Sequence, residues 1–400
     1  MPEQDSTWSM TDVYTGDMFS HCLNVASPKL IVSTPDLTPH VIGSLPHISI
    51  NLTSFSKATP AASNEFESVN LLDTALEMYS GPIHPKTPAD LAILIYTSGT
   101  TGKPKACAIR NMQCLITSTP LSQDIRKPKK YYPLRTYSVL PLFHGTAIFT
   151  GLCYSLGNSG ALCLAKKFSA SRFWKDVTDS QATRIIYVGE LCRYLLAAAP
   201  SKYDRGHNCV VATGNGLRRE IWEEFKARFG VPEIREFYRS TEGLAKFDNF
   251  GWTGFGAGRV GFTGPLRRRL ETDTFLIKFD EESGEPQRDR RTGRCVRAKV
   301  NEPGEAIGRV KDIKLLTEYL GNTKATEEKL IRDVFVKGDC YHRMGDLLVC
   351  DGDGWVRFHD RIGDSFRWKG ENVSAGEVRD LICELPEVQD AVIFGVRLTK

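Results

Sequence analysis

Four hundred residues can bury a large core and predict two or more domains. With 41% hydrophobic and 25% charged residues the composition is that of a soluble globular protein, and a net charge of +4 is too small to point to nucleic acid. Eleven cysteines without a CxxC pair or a Cys/His cluster at ligand spacing fit buried thiols in a reducing compartment, and argue against a disulfide scaffold or a structural zinc.

Residues 1–10 are polar and carry no apolar signal-peptide core. Residues 29–32 predict a short strand, and 34–62, rich in Pro, Ser and Thr, a surface loop. Leu71, Leu72, Ala75, Leu76 and Tyr79 recur at helical spacing over 70–79. The apolar, β-branched run at 92–96 then predicts a buried strand. It leads directly into Thr97-Ser98-Gly99-Thr100-Thr101-Gly102-Lys103-Pro104-Lys105, a stretch of hydroxyls, glycines and lysines. Glycines let backbone N–H groups approach phosphate oxygens, hydroxyls donate further bonds, and lysines neutralise charge, so the loop suits a polyanion. It is not a Walker loop, because Gly99 and Gly102 are only two residues apart and Lys103 is followed by proline.

Strands are expected next at 137–142, 161–165, 184–188, 208–212 and 234–237. They alternate with an apolar helix after Gly145 and helices at 169–181, 190–199 and 218–229; the last presents Ile221, Trp222, Phe225 and Phe229 on one side. This rhythm predicts a mostly parallel sheet covered by helices, with functional loops where strands end and helices begin. The most apolar long stretch, 139–165, is interrupted by Pro141, His144 and Asn158 and reads as buried helix and strand, not a membrane span. After residue 250 the texture changes. Glycines, basic loops and short extended runs such as 274–279 predict an antiparallel β-subdomain over 259–310. Residues 324–335 and 374–385 predict helices, 347–358 a hairpin about Asp351–Gly354, and 388–396 a closing strand. Basic runs at 126–135, 267–269 and 288–294 read as solvated loops, with an anionic membrane surface as the alternative. The terminal Leu398-Thr399-Lys400 is not a peroxisomal address.

The strand and loop at 92–105 resemble the signature of the adenylate-forming (AMP-binding) superfamily. Further motifs follow in that superfamily's order: Pro141-Leu142-Phe143-His144, Ala212-Thr213-Gly214-Asn215-Gly216, Phe237-Tyr238-Arg239-Ser240-Thr241-Glu242-Gly243, Arg343-Met344-Gly345-Asp346 and Asp360-Arg361. The runs 187–196, 216–222 and 360–374 narrow the resemblance to the branch of fatty acid transport proteins and very-long-chain acyl-CoA synthetases.

This resemblance implies an α/β fold: a large N-terminal domain of mostly parallel sheets plus an antiparallel β-subdomain, over 1–359, hinged at Asp360 to a small α+β C-terminal domain that begins over 360–400. It implies ATP-dependent activation of a long- or very-long-chain fatty acid, or a related carboxylate, to acyl-AMP and then acyl-CoA, with Mg²⁺ and coenzyme A. A nucleotide- or lipid-binding protein aiding fatty acid uptake, and a ligase loading a carrier protein, are the alternatives. On the family pattern Ser98, Thr100, Thr101, Gly102 and Lys105 hold the β- and γ-phosphates, and Thr97, Gly99 and Lys103 belong to the same nucleotide-binding loop. Gly214, Asn215, Gly216 and Tyr238 take adenine, Asp346 the ribose, and Arg361 ribose or phosphate. Thr241 binds the α-phosphate, Glu242 ligates Mg²⁺ and His144 gates the substrate channel. The place expected is intracellular: the cytoplasm, or peripheral contact with a peroxisomal, endoplasmic-reticulum or lipid-droplet membrane. Arg239 and Met344 depart from the family's glycine and threonine. The family's late C-terminal lysine has no counterpart here and Lys369 is no substitute, so the expectation is a piece of a longer enzyme or a truncated form with impaired adenylation.

Overall fold

The computed structural model describes residues 7–8, 16–33, 47–50, 68–69, 85–97, 103–119, 132–250, 256–280, 283–362, 366–368, 371–373, 375–383, 385, 388 and 391–394. The helix expected at 70–79 and loop residues 98–102 lie outside them.

Helix α1 (Gly16–Ala26) packs Cys22 and Leu23 inward and braces both feet of the loop. The carbonyl of Cys22 accepts the Tyr96 hydroxyl at 2.7 Å, and His21 Nε2 lies 3.1 Å from the Pro104 carbonyl. Strand β1 (Leu91–Thr97) buries Leu94 and Ile95, as the apolar run predicted. The chain returns antiparallel as β2 (Lys105–Arg110), which pairs Lys105 with Thr97. Two alanines and two cations hide this strand from propensity reasoning. Within the expected loop 34–62, His47–Ile50 instead pairs parallel to Ile31–Ser33.

Helix α2 (Asn111–Ser118) leads on to β3 (Arg135–Ser138), followed by a π-helix (Thr146–Cys153). Strands β4 (Ala161–Leu164), β5 (Arg184–Val188), β6 (Val211–Asn215), β7 (Glu233–Tyr238) and β8 (Phe247–Asn249) complete one sheet in the order β8-β7-β6-β5-β3-β4. Every neighbouring pair is parallel except the edge strand β8. Helices α3 (Phe173–Asp179), α4 (Gly189–Ala197) and α5 (Arg219–Phe229) alternate with these strands. Trp222, Phe225 and Phe229 form the buried stripe of α5, and Gly230 ends it in the left-handed region. These rings meet Trp174 of α3, with Trp174 and Phe229 centroids 4.7 Å apart. β6 starts later than expected, so residues 213–215 are strand and the turn falls at Gly216.

The second sheet is antiparallel, as the change of texture predicted. It contains β9 (Gly261–Phe262), which precedes α6 (Pro265–Leu270), and then β10 (Thr274–Ile277), β11 (Pro303–Arg309), β12 (Leu330–Arg332), β13 (Cys340–Cys350) and β14 (Trp355–Arg361). Its order is β9-β14-β13-β11-β10, with β12 also on β13. Here 324–335 is not one helix. A short α7 (Thr323–Glu327) gives way to β12 because the Asp339 carboxylate accepts the N–H groups of Val334, Phe335 and Val336 at 2.6, 2.9 and 3.0 Å. That side-chain capture offers the backbone a turn in place of a helix. Helix α8 (Ala375–Ile382) matches its expectation, whereas 391–394 is not strand.

Truncating a fully buried α5 ring removes transfer energy and leaves a cavity. Phe225→Ala, at 0% exposure, is expected to lower unfolding free energy by about 3–5 kcal/mol in a denaturant titration.

Candidate nucleotide site

The carboxyl ends of β5, β6 and β7 meet at one place, where an open parallel sheet receives ligands. Gly216 turns the chain with φ +79°, and a Cβ on Gly189 would fall 1.8 Å from its carbonyl oxygen. The turn therefore lies directly on the start of α4. Glu236 of β7 holds it from below: Oε2 accepts the Gly216 N–H at 3.1 Å, and Oε1 accepts the Leu217 N–H at 3.0 Å and the Tyr187 hydroxyl at 2.6 Å. Burial pushes the Glu236 carboxyl up to about 8, against the lowering effect of these donors. Beside it, Asn215 Oδ1 and Thr213 Oγ1 are buried without a hydrogen-bond partner. Buried polar atoms of that kind mark a place for a ligand's donors, as the amino group of adenine would be.

At the end of β7 the Tyr238 hydroxyl donates to Asp346 Oδ2 at 2.7 Å, and Arg361 Nε reaches Asp346 Oδ1 at 3.3 Å. Three residues named from separate motifs thus form one group, helped by the direct pairing of Asp346 with Arg361 across β13 and β14. Tyr238 and Asp346 are buried; Arg361 is exposed. Burial pushes the Tyr238 phenol upward, so it stays a neutral donor.

The loop after Tyr238 carries Thr241 and Glu242. Glu242 Oε1 accepts the Tyr319 hydroxyl at 2.8 Å, and Lys105 Nζ stands 5.1 Å above the centre of the Tyr319 ring. Tyr319 arrives because its segment pairs with β2: Ala108 N–H donates to the Glu318 carbonyl and Leu320 N–H to that of Ala106, both at 2.8 Å. Thr241 Oγ1 comes within 3.8 Å of the Cβ position of Gly145, next to His144. His144 is exposed, its ring 4.9 Å from that of Phe143. Thr97 Oγ1 lies 3.6 Å from Cys107 Sγ at one foot of the loop, and Lys103 is exposed near the other. Ser98, Gly99, Thr100, Thr101 and Gly102 fall outside the described residues.

Among the described residues no group of three or more His, Cys, Asp and Glu could cage a metal. A single carboxylate next to a phosphate site nevertheless fits Mg²⁺, which keeps several waters and is bound by one or two carboxylates plus substrate phosphates. The two departures resolve without crowding. Arg239 turns to Asp248, at 2.7 Å, and Met344 fills the space a side chain on Gly243 would need, its Sδ 2.3 Å from that Cβ position.

Sequence reasoning missed Tyr319, Glu236, Lys329 and His342. Lys329 Nζ lies 3.6 Å from the Cβ position of Gly345, beside Asp346. His342 is buried, pushed down to about 4 by desolvation and hence neutral. Only Glu236 leaves a trace, as a carboxylate inside the β-forming run 234–238; Tyr319 sits in a stretch without periodicity.

Residues 10–298 match the family described as AMP-binding enzyme. The chain belongs to this adenylate-forming family. It is similar to long-chain fatty acid transport protein 2 of Rattus norvegicus, 37% identical over 94% of this chain and 60% of the relative. The very long-chain fatty acid transport protein of Cochliobolus heterostrophus is 34% identical over 96% of this chain and 58% of its own length. The chain therefore spans about 60% of the length of such relatives. Among solved structures, the anthranilate CoA ligase AuaEII with anthranoyl-AMP shares the fold at TM-score 0.72 and 16% identity, over 98% of this chain and 70% of that one. ATP-bound MatB from Rhodopseudomonas palustris shares it at 0.70 and 19%, over 97% and 70%.

Because the raised Glu236 pKa favours the protonated form, its contribution to stability is complete below the ordinary carboxyl range and is lost as pH rises through about 8. Relative to Glu236→Gln, the wild type is expected to lose thermal stability between about pH 4.5 and pH 8 and to level off above that, as paired melting curves would show. Parallel curves would remove the buried carboxyl from the account.

Proposed function

We propose that this chain activates a long- or very-long-chain fatty acid with ATP, forming acyl-AMP and then acyl-CoA. The observation that carries the reading is the convergence of Glu242, Tyr319 and Lys105 with the Tyr238–Asp346–Arg361 group at the carboxyl ends of one parallel sheet. The similarity to fatty acid transport proteins supports the choice of acid.

The first step joins two anions. A carboxylate oxygen attacks the α-phosphorus, the bond from that phosphorus to the pyrophosphate oxygen breaks, and pyrophosphate leaves. Positioning and charge neutralisation are most of the task. Lys105 and the adjoining loop hold the pyrophosphate end, and the Thr241 hydroxyl donates to the α-phosphate. Asp346 accepts the ribose hydroxyls, for which an ionised carboxylate suits as an acceptor-only group. Tyr238 fixes the orientation of Asp346 through its 2.7 Å hydrogen bond and flanks the base, while Asn215 Oδ1 supplies an acceptor near Gly216. Mg²⁺, when bound at Glu242, shields the phosphate charges; Tyr319 holds that carboxylate in place. In the second step the thiolate of coenzyme A attacks the acyl carbon and AMP leaves.

Residues 1–359 serve in this reading as the nucleotide-binding body and Asp360 as the pivot. Support for the pivot is a buried Asp360 whose carboxylate accepts the Arg361 N–H at 2.8 Å, next to the ribose carboxylate. An apolar acyl substrate would be met at a membrane face on the cytoplasmic side. Among the described residues no helix is long and apolar enough to cross a membrane.

Pyrophosphate release with ATP and Mg²⁺ is expected with long-chain acids, and no release with any acid would overturn the assignment. Thr241→Ala with Glu242→Ala is expected to cut that release by about a hundredfold or more with the fold intact. Asp346→Ala is expected to weaken ATP binding by about tenfold to a hundredfold. An unchanged affinity in calorimetry would remove Asp346 from the ribose.

A further inference from the structure

Beside α6 and β10 lies an open cavity of about 110 Å³, lined by Lys246, Arg267, Arg268, Arg297 and Lys299, with Glu271 as the lone carboxylate. None of the side chains assigned above to the nucleotide lines it. Glu271 is already engaged: its Oε1 accepts the N–H groups of Thr272, Asp273 and Thr274 at 3.0, 2.8 and 3.3 Å. Among the described residues none of the five cations forms an ion pair. Arg297 is instead held by rings, its guanidinium 4.3 Å from the centre of Phe275 and 4.7 Å from that of Phe335. Arg267 Nη1 donates to the Phe262 carbonyl at 3.0 Å.

Several cations in and beside the same sheet are matched instead. Arg343 contacts Glu305 and Glu285, Lys278 contacts Glu302, and Lys311 contacts Asp273. Like charges gathered around one concavity repel each other, and a bound anion converts that cost into attraction. Arginine forks and lysine point charges together suit a tetrahedral oxyanion. A volume of about 110 Å³ accommodates a single phosphate group, with the rest of its ester left in the open mouth.

We propose that this cavity is a second anion site, separate from the nucleotide site, which binds the phosphate group of a phosphate monoester. Two sources share that chemistry: a soluble phosphate ester, and the headgroup of a phosphatidic-acid lipid. Only the second would use Leu266 and Leu270, which stand one helical turn apart on α6 at 73% and 69% exposure.

The probes are glycerol 3-phosphate, read by titration calorimetry, and phosphatidylcholine vesicles with and without phosphatidic acid, read by sedimentation. Wild-type protein is expected to bind at least one of them. Lys246→Gln with Arg268→Gln is expected to weaken that binding by about tenfold or more, since two charge-assisted hydrogen bonds are lost. The neutral pair is chosen to spare the fold, and an unchanged circular dichroism spectrum and melting temperature verify it. Leu266→Asp with Leu270→Asp separates the sources. Loss of vesicle binding with glycerol 3-phosphate retained identifies the lipid; no change in either identifies the soluble ester. The proposal is overturned if the wild type binds neither probe, or if the folded glutamine pair binds both as tightly as the wild type.

Discussion

The hydroxyl of Tyr319 joins parts of the chain that have no other reason to meet. Its segment is zipped onto β2 by backbone hydrogen bonds, so the ring comes to rest under Lys105 and the hydroxyl reaches Glu242. β2 is itself the return strand of the phosphate loop, paired with β1 from Thr97 to Leu91. One residue thereby ties the return strand of the loop to the Glu242 carboxylate. Burial pushes the Tyr319 phenol upward, so Tyr319 remains a donor to Glu242. The carboxylate meets a hydroxyl donor and a nearby ammonium without forming a closed ion pair.

Glu236 does comparable work at the Gly216 turn. It lies two residues before Tyr238 on β7, and alternation along a strand sends both side chains to the same face. One carboxylate therefore organises the turn at Gly216 while Tyr238 orients Asp346. Such an arrangement has a cost, because a carboxyl in a dry site is held close to its neutral form. Three donors offset part of that cost, which is the condition under which a buried polar network rigidifies what surrounds it.

The parallel sheet was legible because its signals are local. Apolar runs at 184–188 and 234–237 and the 3.6-residue stripe of α5 report burial directly. The motif residues Tyr238, Asp346, Arg361, Thr241, Glu242 and Lys105 were legible through their resemblance to a family, and the structure brings them together. What could not be read depends on partners distant in the chain. Tyr319 matters only because of Cys107 and Glu242, and the strand at 330–332 only because Asp339 takes the amides that a helix would have used. The shift of β6 is of the same kind, since its register follows from Val211 opposite Arg184 and Glu233.

Charge matching distinguishes the two cationic regions of the molecule. Around the candidate nucleotide site three cations have a counterpart: Arg361 leans on Asp346, Arg239 on Asp248, and Lys105 on the face of Tyr319. In the proposed reaction, which holds a polyanion and then releases pyrophosphate, cations that are positioned but partly screened are an advantage, since unscreened charge would also stabilise the product. The cavity beside α6 differs in having, among the described residues, no carboxylate partner for its cations. Arg297 is held by rings and Arg267 by a carbonyl, and the one carboxylate lining the cavity is occupied by backbone amides. That is the charge pattern of a place that retains an anion, not one that turns it over.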